Sequence, residues 1–142
     1  MKHGDNCYSG CLYFSSNVLA RQIGKMADDA FSPLGLSPSY AFLLMLANAK
    51  PGIQPKELSA QLQLTPSTVT RLLEKLEHKG LVERMNAGKN TQVYPTKQSE
   101  EMENDLQLAW KRLAENYQLY LGPKIAEELT GKVNMAIALM EK

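Results

Sequence analysis

Cysteine is scarce in this chain: Cys7 and Cys11 are the only two among 142 residues. That excludes a disulfide framework, and a pair this sparse is expected to stay reduced. No run approaches the roughly 18 apolar residues that a membrane span needs, and the first residues lack the basic start and apolar stretch of a signal peptide. A cytoplasmic protein that engages no membrane is therefore expected. Catalytic signatures are missing as well, since no Gly-Xaa-Ser-Xaa-Gly, phosphate loop or His-Glu-Xaa-Xaa-His occurs and the carboxylates are scattered. These absences point away from an enzyme, and no cofactor is expected. Internal repeats and low-complexity stretches are absent too, which leaves a chain of single-domain length with 44% hydrophobic residues.

Charge is nearly balanced at +1, but its distribution is uneven. Residues 1–53 carry four Lys/Arg against three Asp/Glu, residues 54–97 seven against four, and residues 98–142 five against eight. The middle is basic and the C-terminal third acidic, the arrangement of a chain that offers its centre to a polyanion.

That centre holds the most structured signal. Thr65 suits a helix N-cap, Pro66 a first helical position, and Gly80 the left-handed residue that ends a helix. Between them Val69, Leu72, Leu73 and Leu76 recur at helical spacing and form a stripe to be buried. Ser67, Thr68, Thr70, Arg71 and Lys75 fall on the other side. Small hydroxyl side chains and free backbone N–H groups in a first turn approach phosphates and base edges closely, and an arginine follows within reach. Pro55–Leu62 reads as a short helix before it, with Gln63 and Leu64 as a tight turn, which together make a helix-turn-helix. Leu81–Met85 and Thr91–Pro95 are strand candidates around a tip, Asn86–Asn90, and so a wing.

In order and spacing, Gly35-Leu36-Ser37, Pro55–Ser59, Thr68–Leu73 and Leu76–Arg84 resemble the multiple-antibiotic-resistance regulator (MarR) family of bacterial winged-helix transcription factors. The resemblance covers most of the chain. It implies a double-stranded DNA operator as partner, contacted by Ser67, Thr68, Thr70, Arg71, Lys75, Arg84 and Lys89. One departure concerns the wing, where the family usually carries an arginine for the minor groove. Lys89 is the only cation at this tip, and a lysine lacks the planar fork of arginine, so phosphate contacts are expected there.

The remaining chain reads as helices. From about Tyr8 to Phe31 the set Cys11, Val18, Leu19, Ile23, Met26, Ala27 and Ala30 follows a helical period, stopped by Ser32-Pro33 and Gly35. Ser37-Pro38 starts a second helix, closed by Lys50-Pro51-Gly52. After the wing, Thr96 or Ser99 caps a long helix in which Met102, Leu106, Ala109, Leu113, Tyr117 and Tyr120 make a coiled-coil-like seam. Gly122-Pro123 interrupts it, and Ile125, Leu129, Val133, Ala136 and Met140 form a last stripe.

The expected fold is thus mainly α: a winged helix-turn-helix with a two-stranded wing (36–97) and long terminal helices (1–35 and 98–142) forming a dimerisation region, in one domain over 1–142. Terminal helices with more apolar face than a small winged helix covers call for a homodimer. By resemblance, such a dimer is a repressor on a pseudo-palindromic operator, released by an effector.

Three effector modes compete. Cys11-Leu-Tyr-Phe-Ser-Ser16 resembles the opening of the family's organic-hydroperoxide-sensing branch, which implies redox chemistry at Cys11 with Cys7 nearby, and hydroxyls from Tyr13 and Tyr40. His3, Cys7 and Cys11 are spaced by four, so an early helix start would align them toward a soft metal, although a fourth ligand is not evident. The third mode is a small phenolic or apolar ligand lined by Met26, Phe31, Tyr40, Phe42 and Trp110. Against all of these stands a winged-helix interaction module that binds no DNA.

Overall fold

The computed structural model describes residues 6–141. Seven α-helices and one hairpin follow in order: α1 (Leu12–Phe31), α2 (Pro38–Ala49), α3 (Pro55–Leu62), α4 (Pro66–His78), β1 (Val82–Ala87), β2 (Asn90–Pro95), α5 (Lys97–Glu101), α6 (Glu103–Leu121) and α7 (Pro123–Met140). A single 3-10 turn, Ser32–Leu34, follows α1 and ends on Gly35. The chain forms two compact units, Phe31–Trp110 in one and the residues before and after it in the other. No single helix among the described residues is long and apolar enough to cross a membrane.

In the central unit the apolar periodicity becomes a core. Val69, Leu72, Leu73 and Leu76 of α4 are buried together with Leu43, Leu44, Ile53, Leu58, Val82, Val93 and Leu106. Burying those four α4 side chains contributes on the order of 6–12 kcal/mol before the chain-entropy cost, as an upper value. The turn between α3 and α4 is held from both sides by Ser59. Its carbonyl accepts from the Leu64 N–H at 3.1 Å, and its hydroxyl donates to the Leu64 carbonyl. Gln63 between them sits at φ +55, a left-handed residue without being glycine.

The strands pair antiparallel from Val82↔Pro95 to Ala87↔Asn90. The five-residue tip expected at Asn86–Asn90 is therefore only Gly88 and Lys89, because the ladder runs two residues further up β1 and one further down β2. Gly88 at φ +65 supplies the left-handed conformation that a two-residue turn needs. A bridge unforeseen from sequence ties Ile53 to Val93, with Gly52 donating to the Val93 carbonyl at 2.8 Å. Gly52 is at φ +91, and a Cβ there would meet the Tyr94 ring at 3.4 Å.

Two helix boundaries depart from expectation. The first helix begins at Leu12 rather than near Tyr8, because Asn6 Oδ1 accepts from the Tyr8 N–H at 2.8 Å and Gly10 follows; local turn chemistry competes with the helix there. Cys7 and Cys11 consequently precede α1. The helix after the wing is broken into α5 and α6 at Met102. Thr96 is the cap, its side chain accepting from the Ser99 N–H, and Ser99 is buried. The Ser99 carbonyl accepts from Asn48 Nδ2 at 3.2 Å and from the Met102 N–H at 3.0 Å, so a side chain competes for the acceptor an unbroken helix would use.

In the other unit Ala27, Ala30, Leu113 and Ala126 are buried. Along α7, by contrast, Ile125, Val133, Ile137 and Met140 are 55, 46, 44 and 84% exposed, and Leu119 and Tyr120 of α6 are 83 and 80% exposed.

The Leu76 side chain is fully buried. Leu76→Ala is expected to lower stability by about 2–5 kcal/mol, read from the urea midpoint at unchanged slope.

Candidate nucleic-acid interface

The outward face of α4 is built at its first turn. Thr65 is extended and its side chain accepts from the Thr68 N–H at 3.3 Å, capping the helix. The same hydroxyl donates to Thr68 Oγ1 at 2.9 Å and lies 3.2 Å from Ser67 Oγ. Arg71 Nη2 donates to Thr68 Oγ1 at 3.3 Å, and Thr70 donates back to the Pro66 carbonyl at 3.0 Å. Ser67, Thr70, Arg71 and Lys75 are exposed and Thr68 is half-buried. Hydroxyls, helix N-terminus and guanidinium thus lie on one surface, while the apolar stripe is buried behind it. A groove of about 480 Å³ runs along this helix, lined by Tyr40, Thr68, Arg71, Leu72, Glu74, Lys75 and His78. Its chemistry is basic with hydroxyl donors, suited to phosphates and base edges.

The other two expected DNA contacts lie on the hairpin. Lys89 is exposed in the two-residue turn. Arg84 is placed differently: its Nη2 and Nε donate to Glu77 Oε1 at 2.8 and 3.3 Å, and its backbone N–H donates to Glu77 Oε2 at 3.3 Å. Both carboxylate oxygens of the last helical turn therefore hold the first strand of the wing. The guanidinium hydrogen bonds hold Glu77 below its ordinary value of 4.5, and Glu77 in turn raises Arg84. Sequence reading missed Glu77, although its position seven residues before Arg84 at a helix end was a usable signal.

A match to known proteins now follows from this geometry. A family model described as the MarR family matches residues 36–90. This winged helix-turn-helix belongs to the MarR family. Among solved structures, the MepR–DNA complex of S. aureus matches with a TM-score of 0.77 at 15% identity, over 89% of this chain and 96% of that chain. A MarR family regulator from Listeria monocytogenes complexed with 26mer DNA gives 0.75 at 17%, over 91% and 88%. CouR of Rhodococcus jostii RHA1 bound to p-coumaroyl-CoA gives 0.74 at 19%, over 94% and 92%. At these identities the likeness is one of fold. No curated protein matches the chain by sequence.

The residues expected to line an effector pocket are dispersed. Phe31 is fully buried and stacks edge-on against Phe42 with ring centroids 5.7 Å apart, so it is core and not lining. Tyr40 belongs to the groove along α4. Phe42 and Trp110 line a different cavity of the central unit, and Met26 lines one in the terminal unit with Leu19, Ile23, Tyr117 and Tyr120. The cysteines are free and exposed, and Tyr13 is 78% exposed. His3 lies outside the described residues. With Cys7 and Cys11 ahead of α1, the helical alignment that suggested a metal is absent, and among the described residues no three His, Cys, Asp or Glu side chains group as ligands.

The Glu77–Arg84 pair is partly exposed, 39 and 30%, so Glu77→Gln is expected to lower stability at pH 7 by only about 0.2–1 kcal/mol. Because the folded-state pKa is lowered, the stabilisation is present above the unfolded carboxylate value and is lost as pH falls through the folded one. Urea titrations of both proteins should therefore converge in acid.

Proposed function

We propose that the protein is a homodimeric transcriptional regulator, acting as a repressor, that binds a pseudo-palindromic DNA operator through α4 and the wing of each protomer. The observation that carries this reading is the outward face of α4. Its N-terminal hydroxyls, Arg71 and Lys75 are presented together while every apolar residue opposite them is buried. In this reading residues 36–97 engage DNA, and residues 1–35 and 98–142 pair the protomers. Two relatives by fold are DNA complexes, and CouR is bound to p-coumaroyl-CoA; a small ligand is accordingly the effector proposed to release this protein. Lys89 neutralises phosphate at the wing tip. Arg84 contributes by holding the wing against α4, and its reach to DNA requires release from Glu77.

Dimerisation rests on the apolar surface of α7 and the end of α6. Four isoleucine, valine and methionine side chains at 44–84% exposure along one helix are more than a solvated helix retains without a partner. In sedimentation velocity the protein should run as a dimer at micromolar concentration. A monomer there would remove this part of the reading.

Fluorescence anisotropy against the DNA flanking the gene tests the whole. Arg71→Ala should weaken operator binding by about 1–3 kcal/mol and relax its sequence preference, whereas Lys89→Ala should weaken all sequences alike and flatten the salt dependence. An interaction module, the alternative kept open by a wing tip with one cation, would show neither effect. The exposed cysteines make an oxidant the second proposed effector. Repeating the titration after stoichiometric organic hydroperoxide tests it, since affinity unchanged by the oxidant excludes Cys7 and Cys11 as sensors.

A further inference from the structure

The central unit holds a second cavity, of about 460 Å³, away from the outward face of α4. Phe42, Met45 and Leu46 of α2, Gln61 and Leu62 of α3, and Gln107 and Trp110 of α6 line it. Phe42 and Trp110 meet edge to face, with centroids 6.3 Å apart at 87°, which leaves ring faces available as walls. Among the described lining residues none is charged, so an anionic ligand would lose its hydration without finding a counter-ion.

The polar group in this wall is Gln107. One amide N–H of its Nε2 donates to Glu103 Oε2 at 2.8 Å, and the same nitrogen lies 3.7 Å from the Met45 sulfur. A thioether is a weak acceptor. A ligand oxygen seated beside Met45 gives that N–H a stronger partner at little reorganisation. The two nearby carboxylates do not invite a cation either: Glu103 accepts from Gln107 and from Asn48 Nδ2 at 2.9 Å, and Glu57 is paired with Lys50 at 2.7 Å.

From Gln107 the hydrogen bonds continue without interruption to the end of α4. Glu103 accepts from Asn48, Asn48 Oδ1 accepts from Ser99 Oγ at 2.9 Å, the Ser99 N–H donates to Thr96 Oγ1 at 3.3 Å, and Thr96 Oγ1 donates to the Gly80 carbonyl at 2.7 Å. The cavity also rests on Gln61 and Leu62, the last turn of the helix that braces α4. A molecule bound here touches both supports of the DNA-facing helix.

We propose that this cavity binds a neutral, planar aromatic molecule bearing one oxygen that accepts from Gln107, and that its occupancy is linked to DNA affinity. The linkage rests on the regulator reading above; the binding site does not. Trp110 is the only tryptophan, so full-length protein carrying 5-fluorotryptophan gives one ¹⁹F resonance, which reports the cavity without DNA. Titration with 2-naphthol should move that resonance saturably. Gln107→Ala, at an exposed position, should weaken binding about five- to tenfold, the effect of one hydrogen bond. The anion 2-naphthoate and a quaternary anilinium should bind more weakly than 2-naphthol. No saturable shift, an unchanged affinity in Gln107→Ala, or tighter binding of either ion would overturn the site. In anisotropy, 2-naphthol and DNA should each weaken the other by the same factor, as linkage requires. Mutual independence overturns the linkage alone, and uptake of 2-naphthol by a protein that never binds DNA leaves the site while removing the regulator.

Discussion

Burial of Val69, Leu72, Leu73 and Leu76 against the central unit decides which side of α4 faces outward, and the remaining architecture depends on that orientation. A helix with four apolar residues at this spacing has one low-energy way to sit on a core. Once it is seated, Ser67, Thr70, Arg71 and Lys75 are exposed by geometry and need no device of their own to present them. The same seating places Glu77 where it reaches Arg84, and Gly80 where it meets Thr96.

Apolar burial sets the face but does not set the angle between neighbouring elements, because hydrophobic contact has no direction. Directional hydrogen bonds supply that second constraint. Ser59 closes the turn before α4, Thr96 ties the chain after the wing to the Gly80 carbonyl, and Glu77 holds β1 to the last turn of the helix. The junction at Ser99 works in the same way. A fully buried hydroxyl satisfied by Asn48 fixes α5 against α2, and since an unsatisfied buried polar group is costly, such a pair tolerates little sliding. The winged helix is therefore a soft apolar contact made specific by a few polar locks.

Much of this was legible in the residues. The ends of α4 at Thr65 and beyond His78, the limits of α2 and α3, and the break at Gly122-Pro123 all stand where proline, glycine and hydroxyl residues place them, because capping and φ restrictions act within a few residues of chain. The buried stripe of α4 was legible for the same reason, as helical spacing is a local property. Where the reading slipped, another local or tertiary interaction intervened. The Asn6 turn displaced the start of α1, longer strand pairing shortened the wing tip, and Asn48, 51 residues from Ser99, broke a helix that periodicity made continuous. Phe31 read as a pocket residue because aromatic character shows in a sequence and burial does not.

The sequence by itself determined the order of helices and strands, the two faces of α4 and the family resemblance carried by residues 36–90, since each rests on spacing along the chain. Only the tertiary structure decided which side chains meet. Arg84 turning to Glu77, the dispersal of the expected pocket residues, and the line of hydrogen bonds from Gln107 to Gly80 all depend on contacts between residues far apart in sequence. Spacing along a chain carries no information about such contacts until the core has brought the elements together.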